Sequence, residues 1–169
     1  MSLVLFQAIL FYVFGALALG AALVMVGQRN PTYSAFALIV TLVSLSAVFG
    51  LLGSPFIAAL QIIVYAGAIM VLFLFVLMLL NVRTEIRVEG QSRVFKLVAI
   101  GLGALLVGEV GSVLVAARTP LAGGFDASAR RVAELLFDAQ YLYVFEATSI
   151  LILASLVGAI VLAKRDPSP

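Results

Sequence analysis

The sequence contains no cysteine and no histidine. Thiolate and imidazole are missing with them, and so are the ordinary ligands of iron–sulfur clusters, of histidine-ligated haem and of most zinc sites. Redox chemistry is not expected within this chain. Without cysteine there is no disulfide from which to read a compartment. Charge is scarce as well: 11% of residues are charged, and the net charge of +2 gives no indication of nucleic acid, which is not expected as a partner. No Gly-rich phosphate loop stands between a strand and a helix, so neither NADH nor flavin is expected to bind the chain directly.

What the sequence has in abundance is apolar surface. Hydrophobic residues make up 64% of its 169 positions and the mean hydropathy is +1.26, against roughly 45–50% apolar and 25% charged in a soluble domain. Such a chain is an integral membrane protein. Its apolar runs are continuous instead of alternating, which excludes barrel strands and predicts an all-α, polytopic fold in one membrane domain, residues 1–169. Five runs are long enough to cross ~30 Å of hydrocarbon at about 1.5 Å per residue. They cover about 3–26, 32–52, 55–80, 94–115 and 143–163. The first has neither the charged start nor the cleavage pattern of a secretory signal, and is expected to be a retained span. Gly27 can end it, Asn30 can cap the second, and Pro31 suits a first helical turn. Gly53-Ser54-Pro55 repeats that grammar, so the second and third spans are expected to be antiparallel neighbours.

Orientation follows from the basic residues, which stay on the cytoplasmic side when they lie in short loops. Arg29, Arg83, Arg87, Arg93, Lys96, Lys164 and Arg165 fall on one side and Arg118, Arg130 and Arg131 on the other. The N-terminus is therefore expected outside and the C-terminus in the cytoplasm. The longest connection, 116–142, lies outside. It starts with Arg118-Thr119-Pro120 and Gly123-Gly124, then gains helical periodicity: Ser128 can cap a short helix with Val132, Leu135 and Leu136 on one face and Arg131 and Glu134 elsewhere. It reads as a surface helix, or as a loop stiffened by one helical turn.

Two carboxylates fall inside spans, where each isolated charge costs at least ~2.5 kcal/mol and normally faces protein or water. Glu146 shares a helical face with Tyr143 and Ser149. That stripe fits a proton or ion route, and equally an interfacial glutamate that snorkels or bonds to another subunit. Glu109 lies deeper, beside a small-residue stripe of Gly101, Ala104, Gly108 and Gly111 that suits close helix packing. No basic residue of the chain lies at comparable depth, so a structural hydrogen bond to a neighbouring chain is the favoured reading. In the second span Ala37, Thr41 and Ser44, and in the first Ala16 and Gly20, are packing signals of the same kind.

The third span is about 26 residues and would reach ~39 Å if straight, so it should tilt or project. Gly67 costs up to ~1 kcal/mol relative to alanine in an ordinary helix. It marks either close approach of another backbone, the default, or a local i→i+5 irregularity.

The stretch Gln61-Ile62-Ile63-Val64-Tyr65-Ala66-Gly67-Ala68-Ile69-Met70-Val71-Leu72-Phe73 resembles the third-helix signature of the J subunits of bacterial respiratory NADH:quinone oxidoreductase, complex I. Asn30-Pro31 and Phe145-Glu146-Ala147-Thr148-Ser149-Ile150-Leu151 resemble two weaker motifs of the same family. The resemblance implies a multi-pass subunit of the bacterial inner (plasma) membrane that belongs to a respiratory translocase yet holds no catalytic centre. Its partners would be other membrane-arm subunits, including the quinone-site subunit and small antiporter-like neighbours, together with lipid. Quinone, NADH, FMN and iron–sulfur clusters would belong to the wider complex and none to this chain. In that family the third helix can contain a π-bulge whose rearrangement is proposed to gate water and proton connectivity. Matched by motif, Tyr65, Gly67 and Val71 would lie in or near the gate, and Glu146 would match a family acid. Relatives commonly carry a glutamate where this chain has Gln61, so a titrating role is absent there while a hydrogen-bonding role remains. Glu109 has no placed counterpart.

The function expected is thus a non-redox membrane-arm subunit that couples quinone reduction to proton translocation through the third helix. A small autonomous transporter with Glu109 and Glu146 on its path is the alternative, weakened by the odd number of spans and the lack of an inverted repeat. An inert assembly scaffold is a third.

Overall fold

The computed structural model describes residues 2–80, 93–116 and 127–164. Every regular element among them is helical. Helix α1 covers Ser2–Gly27, α2 Pro31–Leu51, α3 Pro55–Leu79, α4 Arg93–Ala116, α5 Ala129–Leu136 and α6 Leu142–Ala163. Four of these, α1, α2, α3 and α6, are long and apolar enough to cross a membrane. Helix α4 forms where the fourth span is expected, but its apolar stretch, Leu97–Val113, is shorter than theirs. Arg83, Arg87, Arg118, Arg165 and the Gly123-Gly124 pair, on which the orientation and the outer loop were argued, lie outside the described residues.

The turns between the first three helices are built from the residues whose local chemistry demands them. Asn30 is extended, with φ −88° and ψ 118°, and its Oδ1 accepts from Thr32 N at 2.9 Å, while Pro31 occupies the first turn of α2. The side chain thus satisfies a helix-terminal N–H that has no intrahelical acceptor. At the other end Gly53 has φ 77°, a left-handed conformation that glycine adopts without a β-carbon penalty. Ser54 N donates to Phe49 O at 3.0 Å and Gly53 N to Gly50 O at 3.2 Å, the paired bonds of a Schellman termination. Pro55 then begins α3.

Helix α2 packs against both α1 and α3. Two side-chain bonds stitch them: Ser34 Oγ donates to Met25 O at 2.8 Å, joining α2 to α1, and Ser46 Oγ to Ala58 O at 2.7 Å, joining α2 to α3. The buried residues of α2 are small, Ala35, Thr41, Ser44 and Ser46, which lets helix axes approach closely in an apolar medium. Thr41 and Ser44 spend their hydroxyls on their own helix, on Ala37 O at 3.0 Å and Val40 O at 2.7 Å. This is close packing. In α1 the buried small residue is Ala18, whereas Ala16 and Gly20 are exposed, so the face of α1 that packs within this chain runs through Ala18.

Helix α5 starts as its sequence implies. Ser128 is extended and its Oγ accepts from Arg131 N at 3.4 Å; Glu134 pairs with Arg130 at 3.0 Å and Arg131 at 3.4 Å. All three are surface groups, so each pair adds ~0–1 kcal/mol. The chain then turns through Asp138, whose carbonyl accepts from Tyr141 N and Leu142 N, both at 2.9 Å. Phe137 meets Phe145 edge-on at 5.1 Å, fixing the entry into α6.

Candidate functional site: a π-helical segment in the third helix

Helix α3 is not uniform. Pro55–Leu60 is α-helical, Gln61–Ile69 is a π-helix of nine residues, and Met70–Leu79 is α-helical again. The wide segment falls on the stretch that opens the third-helix signature. A π turn is rare, bonds i to i+5 and concentrates at functional sites. No proline lies within Gln61–Leu80 to impose it.

Gly67 explains locally why this sequence tolerates the wide turn. Outside its own helical turn, the sole heavy atom within 4 Å of a β-carbon placed there is Ile62 O, at 3.1 Å. Ile62 is five residues back, the acceptor position of a π turn. Gly67 therefore makes room for a carbonyl of its own helix, which fits the local i→i+5 irregularity.

The rest of the segment divides by face. Ala66 (8% exposed) and, one turn on, Met70 (4%) are buried. Gln61 and Gly67 are half-buried, and Tyr65 is 52% exposed. Val71 lines an apolar cleft of about 320 Å³ between α2 and α3, with Thr32, Phe36, Leu74, Phe75 and Met78. A second cleft of about 240 Å³, bordered by Met25, Pro31, Ala35 and Phe73, opens toward the same end of the helices. Below the segment Ser46 holds Ala58; above it α2 and α3 leave room between them.

The two acids expected inside spans stand apart from this segment. Glu109, on α4, and Glu146, on α6, are exposed, and no hydrogen bond or ion pair between described residues joins either carboxylate to α3. Ser112 Oγ donates to the main-chain carbonyl of Glu109 at 2.8 Å and Ser149 Oγ to that of Phe145 at 3.1 Å. Tyr143 is 78% exposed. A β-carbon on Gly101, Gly108 or Gly111 would meet nothing within 4 Å among the described residues. Among the described residues no group of three or more His, Cys, Asp or Glu could hold a metal ion.

Three residues that pattern reading passed over matter here: Ala66, Met70 and Ile62. The i, i+4 spacing of the first two signals a shared face. The part played by the Ile62 carbonyl has no side-chain signature at all.

A polytopic α-helical membrane protein with an interrupted third span is the class that fold and site define. Residues 21–162 match the family described as NADH-ubiquinone/plastoquinone oxidoreductase chain 6. The chain is 39% identical over 160 residues to NADH-quinone oxidoreductase subunit J of Pseudomonas aeruginosa, covering 92% of this chain and 96% of that one. It is 38% identical to the Escherichia coli subunit J, covering 92% and 86%, and 37% identical to NAD(P)H-quinone oxidoreductase chain 6 of Synechocystis, covering 96% and 83%.

The chain belongs to the NADH-ubiquinone/plastoquinone oxidoreductase chain 6 family, which makes it a membrane-arm subunit of the complex I type. It is a multi-pass protein of the bacterial inner membrane.

Proposed function

We propose that the chain couples quinone reduction in its complex to proton translocation through a change of turn width in Gln61–Ile69. What supports the reading most is the π-helix itself, which lies in the middle of a membrane span. A π-helix and an α-helix of the same residues differ in register by one main-chain acceptor, so conversion reorients every residue beyond it. Tyr65, Gly67 and Val71 are the gating residues in this reading. Gly67 gives the Ile62 carbonyl its space, Val71 lines the cleft that a rotation of Met70–Leu79 would reshape, and Tyr65 presents a hydroxyl to a neighbour. Gln61 opens the π segment as a hydrogen-bonding group without charge. In the fuller reading α4 is the fourth of five spans, the N-terminus lies outside, and the neighbours are the quinone-site subunit and the small antiporter-like subunits.

Gentle solubilisation tests this directly. The chain is expected in a large complex with NADH:quinone activity, and in intact cells Lys164→Cys should react with a membrane-impermeant maleimide only after permeabilisation; the chain has no native cysteine to confuse the signal. Recovery as a lone oligomer that transports a solute would reject the reading.

Glu109, Tyr143, Glu146 and Ser149 are proposed as polar contacts to neighbouring subunits. Glu146 is the fifth residue of α6, about 6 Å from its start at ~1.5 Å per residue, within reach of the interface for a side chain that extends toward it. Glu146→Gln is accordingly expected to keep proton pumping within about twofold in membrane vesicles, since helix-end polar groups escape most of the midplane penalty. A collapse of pumping with intact assembly would instead put the carboxylate on the proton route.

A further inference from the structure

Residues 2–80 hold a single charged side chain, Arg29. It is exposed in the turn between α1 and α2, and no described carboxylate pairs with it. A guanidinium carried between two apolar spans stands where hydrocarbon gives way to headgroups, because its charge is too costly to leave in the hydrocarbon. Its planar fork of N–H donors matches the oxygens of a phosphate.

The same turn leads onto the larger of the two apolar clefts. Thr32, three residues after Arg29, and Phe36, one turn further on, are its α2 wall, and Val71, Leu74, Phe75 and Met78 are its α3 wall. In the α2–α3 hairpin the start of α2 lies beside the end of α3, so Thr32 and Met78 mark the end of the cleft nearest Arg29. From Met78 to Val71 it runs ~10 Å along the helix. Deeper in, the packing is tight: Ala66 and Met70 on α3 and Thr41 and Ser44 on α2 are buried, and Ser46 Oγ bonds to Ala58 O.

A neighbouring span needs a groove that continues along the length of the pair, and this one ends after about two turns. Its polarity is that of a lipid, with hydrocarbon walls at depth, the one polar lining residue at the mouth, and a cation at the surface. The missing acid decides the headgroup. A zwitterionic lipid brings its own ammonium beside Arg29, where no described carboxylate receives it, whereas an anionic lipid leaves the guanidinium neutralised.

We propose that the cleft between Phe36 and Phe75 is a binding site for one anionic phospholipid, with an acyl chain along Val71–Met78 and its phosphate on Arg29. The site stands on the packing and charge of α1–α3 and does not depend on the coupling function.

The test is a map of the assembled complex in nanodiscs of phosphatidylglycerol and phosphatidylethanolamine. Tail density is expected between Phe36 and Phe75, continuous with a phosphate whose oxygens lie about 3 Å from the Arg29 guanidinium. A side chain or helix of a neighbouring subunit in the cleft, an empty cleft, or Arg29 paired with a neighbour's carboxylate overturns the proposal. A second map, of the Arg29→Gln complex in the same nanodiscs, should show the tail and phosphate density weakened several-fold, and Arg29→Lys should restore most of it. Equal density in Arg29→Gln would mean that the cleft takes any lipid, which removes the anionic site. If Arg29→Gln does not assemble, the wild-type complex exchanged into phosphatidylcholine alone reads the same requirement. The density should then be lost, or be kept only where phosphatidylglycerol or another anionic lipid still appears in the lipid extract; density kept with no anionic lipid in the extract overturns the assignment.

Discussion

Gly67→Val is expected to lower coupled quinone reduction and proton pumping by about tenfold or more in complexes that still assemble. A β-carbon alone stands 3.1 Å from Ile62 O, and valine adds two methyl groups with little χ1 freedom to turn them aside. Forcing volume into a packed site costs about 1–3 kcal/mol, and each ~1.4 kcal/mol set against one conformer of a working cycle is about a factor of ten in rate. The strain is specific to the wide turn, because in α register the acceptor of residue 67 is Ile63 and Ile62 O moves away from the new side chain. Gly67→Ala should fall between wild type and valine. Activity is to be normalised to the amount of assembled complex; full coupled activity in the valine variant would remove Gly67 from the mechanism.

The second large effect concerns assembly. Ser44, like Ala35, is 1% exposed, and it donates to Val40 O within its own helix. Ser44→Leu inserts bulk where two helices meet and is expected to destabilise the unit by ~1–3 kcal/mol. Assembled complex should fall several-fold in membranes and be lost at a lower temperature after solubilisation. Ser44→Ala, which gives up one hydrogen bond worth about 0.6 kcal/mol in a membrane protein, should be close to neutral. Equal losses in the two variants would mean that the hydroxyl, and not the available volume, is what the position requires.

The ends of the helices are legible in the sequence because capping is local chemistry. Asn30-Pro31 and Gly53-Ser54-Pro55 mark their turns to within a residue or two, and Ser128 starts α5. Which face packs is not legible in the same way. A helix as uniformly apolar as α1 offers no polar side against which to measure an inner one, so Ala18 could not be preferred to Ala16 and Gly20. On α4 the stripe of Gly101, Gly108 and Gly111 is plain in the sequence yet meets nothing among the described residues, so the sequence shows a face without showing what it faces. Of the candidate site, the stretch was visible and its geometry was not. Gly67 is compatible with a crossing backbone or with a widened turn, and the widened turn is carried by the carbonyl of Ile62, an atom every residue possesses.

The Ser46–Ala58 bond lies just before the π segment in the chain. A rod pinned near one end and loosened in its middle can deliver torque in one direction only. In the proposed change of turn width, one residue of register would be about 100° of turning, and the pin would keep that motion from Pro55–Leu60. The hairpin made by α2 and the start of α3 would then act as the stator, and Met70–Leu79, flanked by its two apolar clefts, as the part that swings.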